Sequence, residues 1–231
     1  MSRMFKLSVL AAAVLAAPIA QAYEPGDFIL RAGAVTVQPD ASSSNVSVGG
    51  AELDGWQVDV EDDTQLGITA TYMLTDFVGI GILGATPFKH DIEGDAAISG
   101  AGKLAETRHL PPSITFQFFP LAAGSKLQPY AGIGFNYTTF FEEKTTQTLT
   151  DAVGAASTDI ELDDSFGIAV EAGVDYMLTE NIGINAAVWW ADIDTEATIG
   201  AYDAAGTKVA TAKVDVDIDP WVYMVALSYK F

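Results

Sequence analysis

Cysteine is absent from this chain of 231 residues, which excludes a disulfide framework, a thiolate metal site and a thiol nucleophile. Positive charge is scarce. Eleven Lys and Arg stand against 31 Asp and Glu, for a net charge of −20, and such an acidic chain excludes nucleic acid, whose binding rests on Lys and Arg neutralising phosphates. Beyond the first 22 residues no segment approaches the ~18 uninterrupted apolar residues of a spanning helix. Yet the chain is 49% hydrophobic. That apolar content lies in short alternating runs instead of blocks.

The N-terminus reads as a targeting segment. Arg3 and Lys6 give a basic start, Leu7 to Ala20 is rich in Ala, Leu and Val, and Ala20-Gln21-Ala22 is a small-x-small cleavage site. These are the three parts of a secretory signal peptide. The expected division is a signal peptide over 1–22 and one domain without a linker over 23–231. Losing Arg3 and Lys6 takes the net charge from −20 to −22, which suits a surface kept soluble by carboxylates.

The last eleven residues carry the clearest pattern. Every second one, Trp221, Tyr223, Val225, Leu227, Tyr229 and Phe231, is apolar or aromatic, while Val222, Met224, Ala226, Ser228 and Lys230 are smaller and mixed. Side chains alternate faces along a strand, and aromatics near both ends of the apolar row match interfacial girdles. This is a transmembrane strand, and one such strand implies a closed barrel, because unpaired backbone is not tolerated in lipid.

Eight segments of this kind can be read: 28–37, 64–74, 77–86, about 110–119, 129–141, 164–178, 182–193 and 214–231. Short connections follow the second, fourth and sixth, and long ones of about twenty residues follow the others. Tyr72-Met73-Leu74-Thr75-Asp76 and Tyr176-Met177-Leu178-Thr179-Glu180 are near-repeats at two of the short turns. The predicted fold is all-β: an eight-stranded antiparallel transmembrane β-barrel with short periplasmic turns and long extracellular loops, in the outer membrane.

A charge facing lipid at mid-membrane costs ~2–4 kcal/mol, so the alternation places Arg31, Glu171 and Asp175 inside, where a structural ion-pair network among them is expected. Asn136, Asn185 and Trp189 fall on the same inner wall. Glycines collect there too: Gly33, Gly67, Gly79, Gly81, Gly132, Gly134, Gly167, Gly173 and Gly183, with only Gly84 on the lipid face. Two readings stand. Missing side chains open a narrow conduit, or they relieve crowding in a barrel just wide enough to be filled. Above the outer girdle polarity inverts. Asp192, Asp194, Asp215, Asp217 and Asp219 continue the outward row, while Ile193, Val214, Val216 and Ile218 point inward. That inner set reads as an apolar vestibule for poorly soluble small molecules, or as a plug under the loops. Val58, Val60, Ile160 and Leu162 fall on the outward row unless a bulge intervenes.

Several stretches resemble the OmpW family of small outer-membrane proteins, and its pseudomonad branch most of all. They are Gly26-Asp27-Phe28-Ile29-Leu30-Arg31-Ala32-Gly33, Thr64-Gln65-Leu66-Gly67 leading to Tyr72-Met73, Ala85-Thr86-Pro87-Phe88-Lys89-His90, Leu110-Pro111-Pro112, Gln128-Pro129-Tyr130-Ala131-Gly132-Ile133-Gly134-Phe135-Asn136-Tyr137-Thr138, and Lys213-Val214-Asp215-Val216-Asp217-Ile218-Asp219-Pro220-Trp221-Val222-Tyr223. The resemblance spans essentially the whole mature chain. It implies an apolar channel for small hydrophobic or small uncharged solutes, with a lateral exit through the barrel wall at the Leu-Pro-Pro motif. Pro111 and Pro112 hold that place, and proline breaks a β-ladder because it has no backbone donor.

Other constellations carry less. His90 and His109, with Ser99, Ser113 and Asp91, could suggest catalysis, but surface loops are full of such residues, and no enzyme activity is expected. The row Asp215, Asp217, Asp219 lacks the glycine and terminal glutamate of a calcium loop, so no metal and no cofactor is expected. The sequons Asn45-Val46-Ser47 and Asn136-Tyr137-Thr138 have no meaning in a bacterial barrel. The expected partners are outer-membrane lipids, lipopolysaccharide and the solutes themselves, with the barrel a monomer. The competing reading is a plugged structural barrel whose loops contact lipopolysaccharide, host or phage.

Overall fold

The structure is a computed structural model that describes residues 23–121 and 125–231; the signal segment proposed for 1–22 lies outside the described residues. Eight long strands form the barrel: β1 Phe28–Gln38, β2 Asp63–Met73, β3 Val78–Ala85, β4 Ser113–Phe118, β5 Leu127–Thr145, β6 Ser165–Met177, β7 Ile182–Ala191 and β8 Trp221–Lys230. Each pairs antiparallel with its chain neighbours, directly through β4 and β5 as well. The first and last strands close the cylinder, with Ile29 opposite Lys230 and Gln38 opposite Trp221. The amide of Phe231 donates to the Phe28 carbonyl at 2.9 Å. Closure leaves no unpaired barrel edge.

The two faces follow the alternation. Leu66, Ile68, Ile114, Phe116, Ile133, Phe135, Phe166 and Ile168 point outward and are exposed, Phe166 at 70%. Phe135 and Phe166 stack at 5.6 Å on this belt. The intervening residues Ile29, Arg31, Thr69, Thr71, Asn136, Glu171, Asp175, Asn185 and Met224 are buried within. In water this arrangement would be inside out. It is the arrangement that a hydrocarbon solvent demands. The belt ends above near Tyr137, whose hydroxyl donates to Asp164 at 2.6 Å. Below it ends at Phe28, Tyr72, Tyr176 and Phe231.

The long connections differ from the loops expected of them. They continue as strands above the belt: Trp56–Val60, Phe88–Ala96, Lys103–Leu110, Ser157–Leu162, Asp194–Tyr202 and Lys208–Asp217. Their Gly- and Ser-rich composition suggested irregular chain, but the barrel strands below supply ready ladders for them to extend. A short α-helix, α1 (Gln147–Ala152), begins at Thr146, whose hydroxyl accepts from the Leu149 amide at 3.4 Å. Phase is kept from β7 into Asp194–Tyr202 and from Lys208–Asp217 into β8, so Ile193, Val214, Val216 and Ile218 all stay buried. It reverses elsewhere. Val58 and Leu162 are also buried, because the ladders break at Glu61–Asp62 and at Asp163–Asp164. One irregular step turns a whole strand to its other face.

Candidate conduit and wall opening

The lower half of the lumen is filled by polar side chains bonded to one another. Arg31 Nη2 lies 2.6 Å from Asp175 Oδ2, and its Nε donates to Oδ1 at 2.9 Å. Arg31 Nη1 donates to Thr71 Oγ1 at 2.8 Å, and Thr71 donates to Gln117 Oε1 at 2.9 Å. Gln117 Nε2 then donates to Glu171 Oε1 at 2.8 Å, and Thr115 donates to the same oxygen. Asn185 Nδ2 donates to Asp175 Oδ1 at 3.0 Å and to the Tyr130 hydroxyl at 3.1 Å. The Arg31 guanidinium lies 5.0 Å from the Tyr130 ring centroid. Arg31 and Asp175 are therefore a true ion pair. Glu171 reaches Arg31 only through Gln117 and Thr71, so the expected three-residue ion-pair network is one pair plus a hydrogen-bonded relay. A buried carboxylate can be satisfied by neutral donors when the network around it is complete.

The glycines are where this network needs room. A Cβ at Gly132 would meet the Glu171 carboxylate, one at Gly81 the Gln117 amide, and one at Gly173 the Tyr130 ring. At Gly134 it would meet the Ile114 carbonyl, and at Gly33 that of Val225. The space they leave is occupied. Of the two readings of these glycines, relief of crowding is what the packing bears out. Beneath the network Tyr23, Phe119 and Tyr130 form an aromatic floor, with ring centroids 5.4 Å and 5.3 Å apart.

The upper half is different. Above the belt the strand extensions enclose an apolar cavity of ≈ 350 Å³. Val214, Val216 and Ile218 form one wall, and Val58, Ile92, Leu104, Phe140 and Leu162 the other, while Ile193 packs in the same buried cluster but lines the smaller cavity beneath. A second cavity of ≈ 20 Å³ lies below it, bounded by Gly84, Phe88, His109, Pro111, Asn136 and Trp189. Asn136 is not a free contact group. Its Nδ2 donates to the Pro111 carbonyl at 3.0 Å and to Ser113 Oγ at 3.0 Å, pinning the Pro-Pro segment. The structure thus gathers Trp189, Asn136, Ile193, Val214, Val216 and Ile218 above, and Arg31, Glu171, Asp175 and Asn185 below.

The small cavity abuts a break in the wall. Between β3 and β4 the ladder ends at Leu83 opposite Ser113, and pairing resumes only at Phe88 opposite His109. Residues 84–87 and 110–112 do not pair with each other across this interval; the Thr86 amide donates instead to Leu66 at 2.9 Å. On the other side of Pro112 the wall is intact, since the Tyr137 amide donates to the Pro112 carbonyl at 3.0 Å. Pro111 and Pro112, which have no backbone donor, lie on this unpaired interval. Gly84 forms the lip, where an added Cβ would touch nothing within 4 Å.

His90 and His109 meet between the two cavities, with Nε2 atoms 3.2 Å apart. His90 Nδ1 lies 2.5 Å from the Glu61 carbonyl. Burial pulls both imidazoles below their ordinary value, His109 the further. The grouping with Ser99, Ser113 and Asp91 is not assembled. Ser113 serves Asn136 and Pro111, and Asp91 pairs with Lys103 at 2.9 Å. On the outer wall the carboxylates of Asp192, Asp194 and Asp219 converge within 4.8 Å. Partial burial and mutual repulsion hold Asp194 and Asp219 above the usual carboxylate range. Such a trio could share a cation, though the expected row of Asp215, Asp217 and Asp219 supplies only one of its members. The sequence reading missed Asp192 and Asp194 as partners of Asp219 because they lie on the neighbouring strand.

A sequence model described as the OmpW family matches residues 24–231. Outer membrane protein W of Vibrio cholerae is 44% identical over 226 residues, covering 97% of each chain. Outer membrane protein W of Escherichia coli is 40% identical over 232 residues, covering 99% of this chain and all of that one. The crystal structure of OprG from Pseudomonas aeruginosa superposes with a TM-score of 0.82 at 46% identity, over 91% of this chain and 98% of that one.

Proposed function

Since the chain belongs to the OmpW family of outer-membrane barrels, we propose that it is a passive conduit for small, mainly hydrophobic solutes that leave sideways into the bilayer. One observation carries this reading: an apolar chamber above, a filled lumen below, and an unpaired interval in the wall where they meet. A solute entering from outside loses water against Val214, Val216 and Ile218, and meets Ile193 at the small cavity below. Onward passage along the axis would require breaking the Arg31–Asp175 pair and the aromatic floor. The route past Trp189 to the seam at Gly84 and Pro111 breaks no backbone ladder. Transfer from an apolar wall into acyl chains costs little, since both are hydrocarbon.

No step here needs a nucleophile, a cofactor or a metal, so the role is transport without chemistry. Pro111 and Pro112 act as the lateral gate, and Asn136 holds them in place. The outer acids face the lipopolysaccharide headgroups, and the closed sheet needs no second copy. The competing reading, a fully plugged structural barrel, shares the blocked lower lumen but gives the upper cavity nothing to do.

The chain has no cysteine, so Gly84→Cys creates a single thiol at the lip of the seam. Proteoliposomes holding the wild-type barrel should take up a small apolar solute faster than empty ones. A bulky thiol reagent on Gly84→Cys should remove that advantage. Uptake equal to empty liposomes for the wild-type protein would leave the plugged reading standing.

A further inference from the structure

The apolar chamber has few polar side chains in its wall. Apart from Trp56 they are His90, Thr107, His109 and Thr195. Three of these are spoken for. Thr195 donates to the Asp163 carbonyl at 2.8 Å, Thr107 to the Arg108 carbonyl at 3.3 Å, and His90 uses both ring nitrogens. His109 uses one.

The protons can be assigned along this chain of bonds. A carbonyl oxygen only accepts, so His90 carries its proton on Nδ1, toward Glu61. Neutral His90 then offers a lone pair at Nε2. His109 must supply the proton between the two rings, from its own Nε2. Its Nδ1 is therefore a bare acceptor, with no hydrogen-bond partner among the described residues. Both rings are 2% exposed. Their desolvation disfavours the charged form. The acids that act on the pair, Asp62, Asp63 and Asp91, act on His90 and not on His109. His109 also lines both cavities, so its ring stands between the chamber and the seam.

We propose that His109 Nδ1 is a binding point for the polar end of the solute, and that the conduit prefers apolar bodies bearing a single O–H or N–H donor, such as alcohols and phenols, over bare hydrocarbons of the same shape. This rests on the chamber being a solute site. An acceptor that faces the chamber loses its water when a solute fills the space, a cost that a matching O–H removes and a hydrocarbon leaves in place. Size is no obstacle. An apolar cavity of about 150 Å³ holds benzene, and this one is ≈ 350 Å³.

Benzyl alcohol and toluene differ by one hydroxyl and test the idea directly. The chain has two histidines, so a ¹⁵N spectrum of the full barrel in lipid shows two imidazoles, and His109→Phe assigns them. In the solute-free protein His109 Nδ1 should resonate as a lone-pair nitrogen. Benzyl alcohol should move it toward the protonated range, and toluene should leave it in place while still shifting the methyls of Val214, Val216 and Ile218. Finding the proton on His109 Nδ1, or equal responses to two solutes that both shift those methyls, would overturn the inference and leave the chamber reading intact. If neither solute shifted the methyls, the chamber reading would fall and this inference with it.

Discussion

Arg31 and Asp175 sit on β1 and β6, on different parts of the barrel wall, and meet across its bore at 2.6 Å with both side chains fully buried. Removing one partner strands the other charge, at a cost of ~3–5 kcal/mol. Arg31→Ala and Asp175→Ala should each lower the folding free energy by about that much, measured by urea unfolding in bilayers. The double variant should cost clearly less than the sum. Strict additivity would mean that the two groups do not interact in the membrane.

The two kinds of glycine should behave oppositely. Gly134→Ala drives a methyl into the Ile114 carbonyl of the adjacent strand, so the barrel should lose ~1–3 kcal/mol or more, as overpacked sites do. Gly84→Ala meets open space and should leave the unfolding midpoint unchanged. Equal destabilisation by both would contradict the packing described for the inner wall.

Lipid contact predicts a depth profile. Ile133→Arg lies on the exposed belt and should cost ~2–4 kcal/mol, with a smaller loss for Tyr137→Arg at the upper boundary. A flat response along β5 would remove the bilayer from the picture.

The histidine pair gives a pH dependence with a defined sign. Burial holds both imidazoles below the ordinary value near 6.5. The unfolded chain therefore takes up protons that the folded barrel refuses. Stability is full above about pH 6.5 and falls as the pH drops below it toward the folded values. The urea midpoint should be lower at about pH 5 than at about pH 7.5, and the drop should shrink when both His90 and His109 are replaced by Gln. A barrel whose extra acid sensitivity survives that double replacement must owe it to other groups.

The barrel was legible because lipid imposes a strict rule at every second residue. Phe135, Ile133 and Leu227 could be assigned outward and Asn136, Glu171 and Arg31 inward from parity alone. Parity failed where the chain breaks step. Val58 and Leu162 read as outward because nothing in Glu61–Asp62 or Asp163–Asp164 announces a change of face. The apolar vestibule is legible in Val214, Val216 and Ile218, which keep phase with β8. The other half of its wall was hidden by those two breaks. The Glu171 relay was illegible for another reason. Its donors, Thr115 and Gln117, are neutral, and charge counting looks only for opposite signs. The contact of His90 with His109 arises from register between Phe88–Ala96 and Lys103–Leu110, which no spacing in the chain states.

Because β1 is sewn to β8, the molecule has a calendar as well as a shape. Until β8 has been exported, both flanks of the growing sheet expose raw amides and carbonyls that no bilayer will accept. Insertion must therefore wait for β8, with the chain shielded meanwhile. A polypeptide that lacks Trp221–Lys230 has most of its wall and no means of joining it.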